Sequence, residues 1–167
     1  LLKVKNKKKS NSSNGPTQDN WQTDINQIKS DLVEQISIPG SFCQSYESFK
    51  TIYRFLERGL TRTDRKISVI LLSIVDEKGQ SSDFVSKESD MEILGNILQN
   101  TLRLGDVFTR YSSNQYLVLA IDASSDDADN AIAKRIQETF NQGKHKQHVL
   151  VHYCYELQSA KVKSRIK

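Results

Sequence analysis

Apolar residues along the chain change their period several times, and each change marks an element. From Gln18 to Ile36, Trp21, Ile25, Ile28, Leu32 and Ile36 recur at spacings of four, three, four and four, which places them on one stripe of a helix. Two readings fit that stripe: a short signalling or dimerisation helix, or a helix packed on its own domain. Two heptads are too few to define a coiled coil. Pro39-Gly40 ends the pattern, and Ser45 to Leu60 predicts a second helix with Phe49, Ile52, Tyr53, Phe55, Leu56 and Leu60 on its apolar side. Ile67 to Val75 is a nearly continuous run of β-branched residues and leucine, short enough for a central strand covered on both faces. Met91, Ile93, Leu94, Ile97, Leu98, Leu102 and Leu104 then mark an amphipathic helix from about Ser89 to Arg103. Two strand-favouring runs follow, Val107 to Tyr111 and Tyr116 to Ile121, on either side of the polar Ser112-Ser113-Asn114-Gln115, and predict a β-hairpin. Ser124-Ser125-Asp126-Asp127 opens a helix that carries Ala128, Ala131, Ile132, Ile136 and Phe140. The acids in its first turn suit the helix dipole and need no catalytic explanation. His148 to Tyr155 closes the domain as a last strand.

From Ile67 onward the order is βαββαβ, which predicts an α+β, ferredoxin-like arrangement: an antiparallel sheet with helices on one face. An RNA-recognition domain shares this order, but its third strand presents stacked aromatics. The run from Tyr116 to Ile121 supplies one aromatic, so that reading is set aside. The fold by itself assigns no function.

The chain has 167 residues, enough for one domain with a core and an appendage. Residues 1–17 are lysine, asparagine, serine and glycine around one proline, and read as a linker. The expected organisation is therefore a polar linker (1–17), a connecting helix (18–39), a domain (40–156) and a basic tail (157–167). Because the chain begins at Leu1 and not at Met, a piece of a longer protein is expected, with a further domain upstream. The net charge of +4 suggests nucleic acid, but its location argues otherwise. Lys3, Lys5, Lys7, Lys8 and Lys9 lie in one tail and Lys161, Lys163, Arg165 and Lys167 in the other. Without those nine, 15 basic residues face 20 acidic ones, so the central part carries about −5 and no nucleic-acid partner is expected. No run approaches the ~18 apolar residues of a membrane span, so neither a membrane partner nor a location outside the cytoplasm is expected. Cys43 and Cys154 lie far apart and read as reduced packing residues. His148 and His152 share a strand face about 13 Å apart, too far for one metal ion, and are expected at the surface. Trp21, Tyr46 and Tyr53 read as packing residues, with no cofactor implied.

The hairpin carries more than geometry. Arg103-Leu104-Gly105-Asp106 stands four residues ahead of Arg110-Tyr111-Ser112-Ser113-Asn114-Gln115-Tyr116. This resembles the signature of the GGDEF family, the bacterial diguanylate cyclases, in which an RxxD precedes an Arg-Tyr-Gly-Gly-Asp/Glu-Glu-Phe hairpin. The resemblance implies the same βαββαβ core and a place in bacterial signal transduction, behind a sensory or receiver domain. Its catalytic chemistry is phosphoryl transfer, which needs divalent metal held by carboxylates beside the triphosphate. In the family those carboxylates stand at the end of the first strand and at the third hairpin position, which here are Ser73 and Asn114. Neither would hold magnesium well against water. The family's guanine-binding motif falls, counted without a gap from Ser73, on Ser81 to Asp90, where only Asp90 matches. The two hairpin glycines, which let the backbone approach phosphate, are Ser112 and Ser113. The Asp-x-Leu-Thr-Gly-Leu signature before the domain and the closing Lys- and Arg-bearing helix have no counterpart. Asp76 and Glu77, beside the old metal position, read as a solvated loop.

Catalytic inactivity is therefore expected, with no catalytic residue, metal ligand or cofactor. What the resemblance retains is the RxxD site, which in the family binds the product cyclic di-GMP. It implies Arg103, Asp106 and Arg135, the last in Ala133-Lys134-Arg135-Ile136, facing one dinucleotide. The bland reading of the same residues is an arginine capping a helix and an aspartate starting a turn. The competing functional reading is a protein-interaction or homodimerisation module that binds no nucleotide.

Overall fold

A computed structural model of the chain describes residues 18–34, 38–80, 84–143 and 148–159. The expected linker and most of the basic tail lie outside the described residues. The chain divides between residues 37 and 38 into two compact units. The first contains helix α1 (Gln18–Leu32), whose stripe residues Ile25, Ile28 and Leu32 are exposed; the side chain of Trp21 is outside the described residues.

The second unit runs β1 (Phe42–Cys43), α2 (Tyr46–Gly59), β2 (Ile67–Asp76), α3 (Phe84–Thr101), β3 (Val107–Ser112), β4 (Gln115–Ile121), α4 (Ser125–Asp127), a π-helical segment (Ala128–Ala133), α5 (Lys134–Asn141) and β5 (His148–Glu156). The five strands form one sheet in the order β1-β3-β4-β2-β5. Strands β2 to β5 are antiparallel to every neighbour among themselves, and each helix between them crosses over one intervening strand, which is the ferredoxin-like arrangement. The mixed α+β fold is as the periodicity predicts. The two-residue strand β1 is an addition to it, paired parallel to β3 with Phe42 opposite Val107.

Alternation along β2 decides what each face buries. Ile70, Leu72 and Ile74 point to one side and meet Met91, Leu94 and Leu98 of α3 together with Ile132, Ile136 and Phe140. Each such fully buried side chain contributes roughly 2 kcal/mol. Ile67 and Val69 point to the other side and pack with Phe49 of α2, Val107, Leu119 and Leu157. The sheet is thus covered on both faces where α2 reaches it, whereas the periodicity places helices on one. Beyond α2 that second face is open: Val149, Val151 and Tyr153 of β5 are exposed, Tyr153 to 65%. Leu157 continues β5 onto the core, its N–H bonded to the Ile67 carbonyl (2.7 Å), so the tail begins after it.

Local signals set the boundaries. Ser45 Oγ accepts the Ser48 N–H (3.2 Å) and starts α2. Ser124 and Asp127 form a reciprocal capping box at α4. Leu104, counted with α3 by its periodicity, lies past the helix end in the turn before β3 and is exposed.

Between α2 and the sheet lies a cleft of about 370 Å³ lined by Tyr46, Tyr53, Arg54, Leu117 and Tyr155, among others. Tyr46 packs edge-on to Tyr111 with ring centres 5.2 Å apart, as expected of a packing residue. Burial, and then the neighbouring Tyr53 hydroxyl, push the Tyr155 phenol up to about 12, from an ordinary value near 10. The folded state therefore holds this proton more tightly than the unfolded chain does. That stability is intact below about pH 10 and is lost as the pH rises through about 12. Melting temperatures recorded across this window are expected to fall in the wild type and to fall less in Tyr155→Phe; identical slopes would show that Tyr155 does not contribute.

Candidate functional site

The β3–β4 hairpin is closed by its own side chains. Arg110 makes a bidentate pair with Glu88 of α3 (2.6 Å to each oxygen), and this contact holds the Glu88 carboxyl below the usual carboxylate range. Arg110 Nε also donates to the Ser112 carbonyl (3.2 Å). Tyr111 is an extra residue between the Arg110–Tyr116 and Ser112–Gln115 pairs, so the strand bulges there. Neither Ser112, Ser113 nor Asn114 has a positive φ, and serines in place of glycines carry no backbone strain.

At the tip, the two positions that bear metal carboxylates in the family pattern do come together. Ser73 lies opposite Gln115, whose Nε2 donates to Ser73 Oγ (3.0 Å). Asn114 Nδ2 donates to the Ile74 carbonyl (3.0 Å), and the Asn114 carbonyl accepts the Ile74 N–H (2.9 Å). Ser112 Oγ lies 3.1 Å from both Asn114 Oδ1 and Gln115 Oε1 and donates its one proton between them. The result is a network of neutral groups hydrogen-bonded to one another. Asp76, the nearest acid along β2, turns the chain: its Oδ1 accepts the N–H groups of Lys78 (2.9 Å) and Gln80 (2.7 Å). The expectation of a solvated loop is corrected for Asp76, which is the last residue of β2, opposite His148.

The three residues of the expected dinucleotide site separate into two classes. Arg103 and Arg135 are exposed at the C-terminal end of α3, where Arg135 Nη2 donates to the Thr101 carbonyl (3.0 Å). Asp106 is only 2% exposed and serves the fold. Its Oδ2 accepts the Arg103 backbone N–H and its Oδ1 the Ile121 N–H, both at 2.9 Å. The expectation that Asp106 faces a ligand is corrected: its carboxylate locks the turn to β4. The RxxD spacing is the spacing of that turn, which the Asp106 N–H closes onto the Arg103 carbonyl (3.0 Å).

Asp90 is likewise held inside. It is 7% exposed and its Oδ2 bonds His148 Nδ1, joining α3 to the start of β5. The expectation of surface histidines therefore fails. His148 lies on the buried face of β5 with Leu150, and His152 on the same face is half-buried with Nε2 2.8 Å from Asp129 Oδ1. Cys154, two residues on, has its thiol pushed up to about 11 by burial and then by Asp129. Sequence reasoning missed this group because Asp129 lies 23 positions from His152; the available signal was His-x-Cys on one face of a predicted strand.

This architecture has a counterpart among solved structures. A DGC (diguanylate cyclase) protein from Thermotoga maritima superposes with a TM-score of 0.55 at 14% identity, over 71% of this chain and 84% of that one. The fold is GGDEF-like. At that identity the likeness extends to the fold alone. No family model matches the sequence, and no curated protein matches it. The motif frame from Arg103 to Tyr116 and the superposition thus reach one architecture by separate routes.

Among the described residues, no helix is long and apolar enough to cross a membrane.

Proposed function

We propose that this chain is a catalytically inactive GGDEF-fold regulatory or output module of bacterial signal transduction, acting by binding and not by turnover. The observation that carries the reading is the closed network at the hairpin tip. Ser73 and Asn114 stand where the family pattern has metal carboxylates, and both are neutral and hydrogen-bonded to their neighbours. Phosphoryl transfer needs carboxylates to hold divalent metal there. Asp90 and Asp106, the acids that do match the pattern, are engaged within the fold.

For the ligand, the surface supports cyclic di-GMP held by Arg103 and Arg135, whose planar guanidinium groups suit phosphate and guanine edges. A second reading, a protein-interaction or dimerisation module without nucleotide, is supported by the open apolar strip of Val149, Val151 and Tyr153. Two measurements decide. Incubation with GTP and Mg²⁺ or Mn²⁺ is expected to yield no cyclic di-GMP and no linear dinucleotide; turnover by the chain would sink the inactive reading. Calorimetric titration with cyclic di-GMP is expected to give heat that Arg103→Ala and Arg135→Ala each abolish. No heat at millimolar ligand would overturn the receptor reading and leave the protein-interaction module.

A further inference from the structure

Three side chains of metal-ligating type converge at the β5 edge of the sheet, apart from the hairpin and from both arginines. His152 and Cys154 are two positions apart on β5 and so project from the same face, with Cα atoms about 6.6 Å apart. Asp129 reaches them from the π-helical segment Ala128–Ala133. One carboxylate oxygen, one imidazole nitrogen and the thiol sulfur all lie within 4.8 Å of one another, and all three residues are half-buried. It is the one such group of three among the described residues.

The aspartate stands in an irregular part of the helix. An extra residue per turn in a π-helical stretch shifts the phase of the side chains that follow, and such stretches concentrate at functional positions. Here Ala128, Ile132 and Ala133 lie in the core, and Asp129, at the start of the segment, meets His152 of β5. The small alanines let the segment sit close to the sheet.

We propose that Asp129, His152 and Cys154 form a site for a divalent cation of borderline softness, Zn²⁺, with water in the fourth position. The donor set selects the metal class: one thiolate and one imidazole favour zinc over magnesium or calcium, which take oxygen. Bond lengths of about 2.0–2.3 Å in a tetrahedron need donor atoms roughly 3.3–3.6 Å apart. The His152 Nε2–Asp129 Oδ1 pair, at 2.8 Å, would open by about 0.5 Å, and no other pair, all lying within 4.8 Å, would close by more than about 1.5 Å, changes within reach of side-chain torsions. Charge also balances: carboxylate and thiolate together offset the two positive charges, with the imidazole neutral. On binding, the thiol releases its proton to solvent, and the Nε2 proton that bonds Asp129 Oδ1 in the metal-free protein is exchanged through solvent for one on Nδ1, so that the Nε2 lone pair faces the metal. The bound ion would clip the helix of residues 125–141 to the edge strand and stabilise the domain by mass action.

The test uses the untagged full chain with Co²⁺ as a spectroscopic probe and Zn²⁺ as the competitor. One equivalent of Co²⁺ is expected to give the near-ultraviolet band of a cobalt–thiolate bond and the intense visible bands of tetrahedral cobalt, both removed by Zn²⁺. Cys43→Ser is expected to retain them, Cys154→Ser to lose the thiolate band, and His152→Ala and Asp129→Asn to weaken binding at least about tenfold. Zinc is expected to raise the melting temperature of the wild type and of Cys43→Ser but not of Cys154→Ser, so a folding defect in one variant does not decide the matter. Absence of the bands in excess Co²⁺, their survival in Cys154→Ser, or their loss in Cys43→Ser would each overturn the proposal.

Discussion

Gly40→Ala is expected to lower the stability of the domain by about 3–5 kcal/mol, the first of two large losses predicted for residues outside the obvious core. Gly40 has a φ of +90°, a region in which an L side chain costs roughly 1–2 kcal/mol. A Cβ there would stand 1.9 Å from the backbone carbonyl oxygen of Gln99 and 3.0 Å from its carbon, so the collision is with the main chain of α3 and not with a movable side chain. The loop cannot simply step back, because it is fastened on every side. Gln99 Nε2 donates to the carbonyls of Pro39 (2.6 Å) and Ser41 (2.9 Å), Ser41 Oγ donates to the Leu98 carbonyl (3.1 Å), and the Ser41 N–H reaches the Gln99 carbonyl (3.3 Å). These bonds satisfy carbonyls at the end of α3 and hand the chain to β1, where the Phe42 N–H bonds the Asp106 carbonyl (2.9 Å). Thermal melting should move down by roughly 10–20 °C. A shift under about 1 kcal/mol would show that residues 39–41 do not grip the helix as described.

The same loop shows how far the sequence reads and where it stops. Although α1 already ends at Leu32, Pro39-Gly40 is legible as a break in the chain, because glycine and proline act on their own backbone. Its docking on Gln99, 59 positions away, leaves no periodic trace. The long elements are legible for the opposite reason: β2, the hairpin and the amphipathic residues of α3 repeat one burial requirement many times. Strand β1 has two residues and no period to detect. Periodicity also says which side of a helix is apolar but not which face of the sheet receives it, and α2 proves to lie opposite α3 and α5.

For the candidate site, the residue types were legible and their orientations were not. Arg103 and Asp106 share one turn and Arg135 bonds the Thr101 carbonyl at the end of α3, yet a carboxylate can answer either a ligand or a turn with the same spacing. Asp90 shows the same ambiguity, resolved here by His148 from the far end of the chain. The pattern shared with the GGDEF family thus survives at positions where its residues also hold the fold, and is absent at Ser73 and Asn114, where the family's residues hold metal.

Asp106→Ala tests that distinction directly and is expected to cost about 3–4 kcal/mol. The substitution removes both acceptors for the Arg103 and Ile121 N–H groups, and each unsatisfied buried donor costs roughly 1–3 kcal/mol. Neither donor has an easy substitute. The Gln99 carbonyl, which would take the Arg103 N–H if α3 continued, already accepts from Ser41, and Ile121 extends past Leu119, the β4 residue paired with Val107 at the start of β3. Asp106→Asn keeps one acceptor but sets an amide NH₂ against the other backbone N–H, so it should recover at most about half of the loss. Arg103→Ala leaves its backbone N–H in place and should change stability by less than about 0.5 kcal/mol, since its side chain is exposed. Denaturant unfolding of the three variants separates the roles. If Asp106→Ala unfolds near the wild-type midpoint, its carboxylate is not a structural lock and is available to a ligand; if it unfolds early while Arg103→Ala does not, the RxxD pattern contains one residue for the fold and one for the surface.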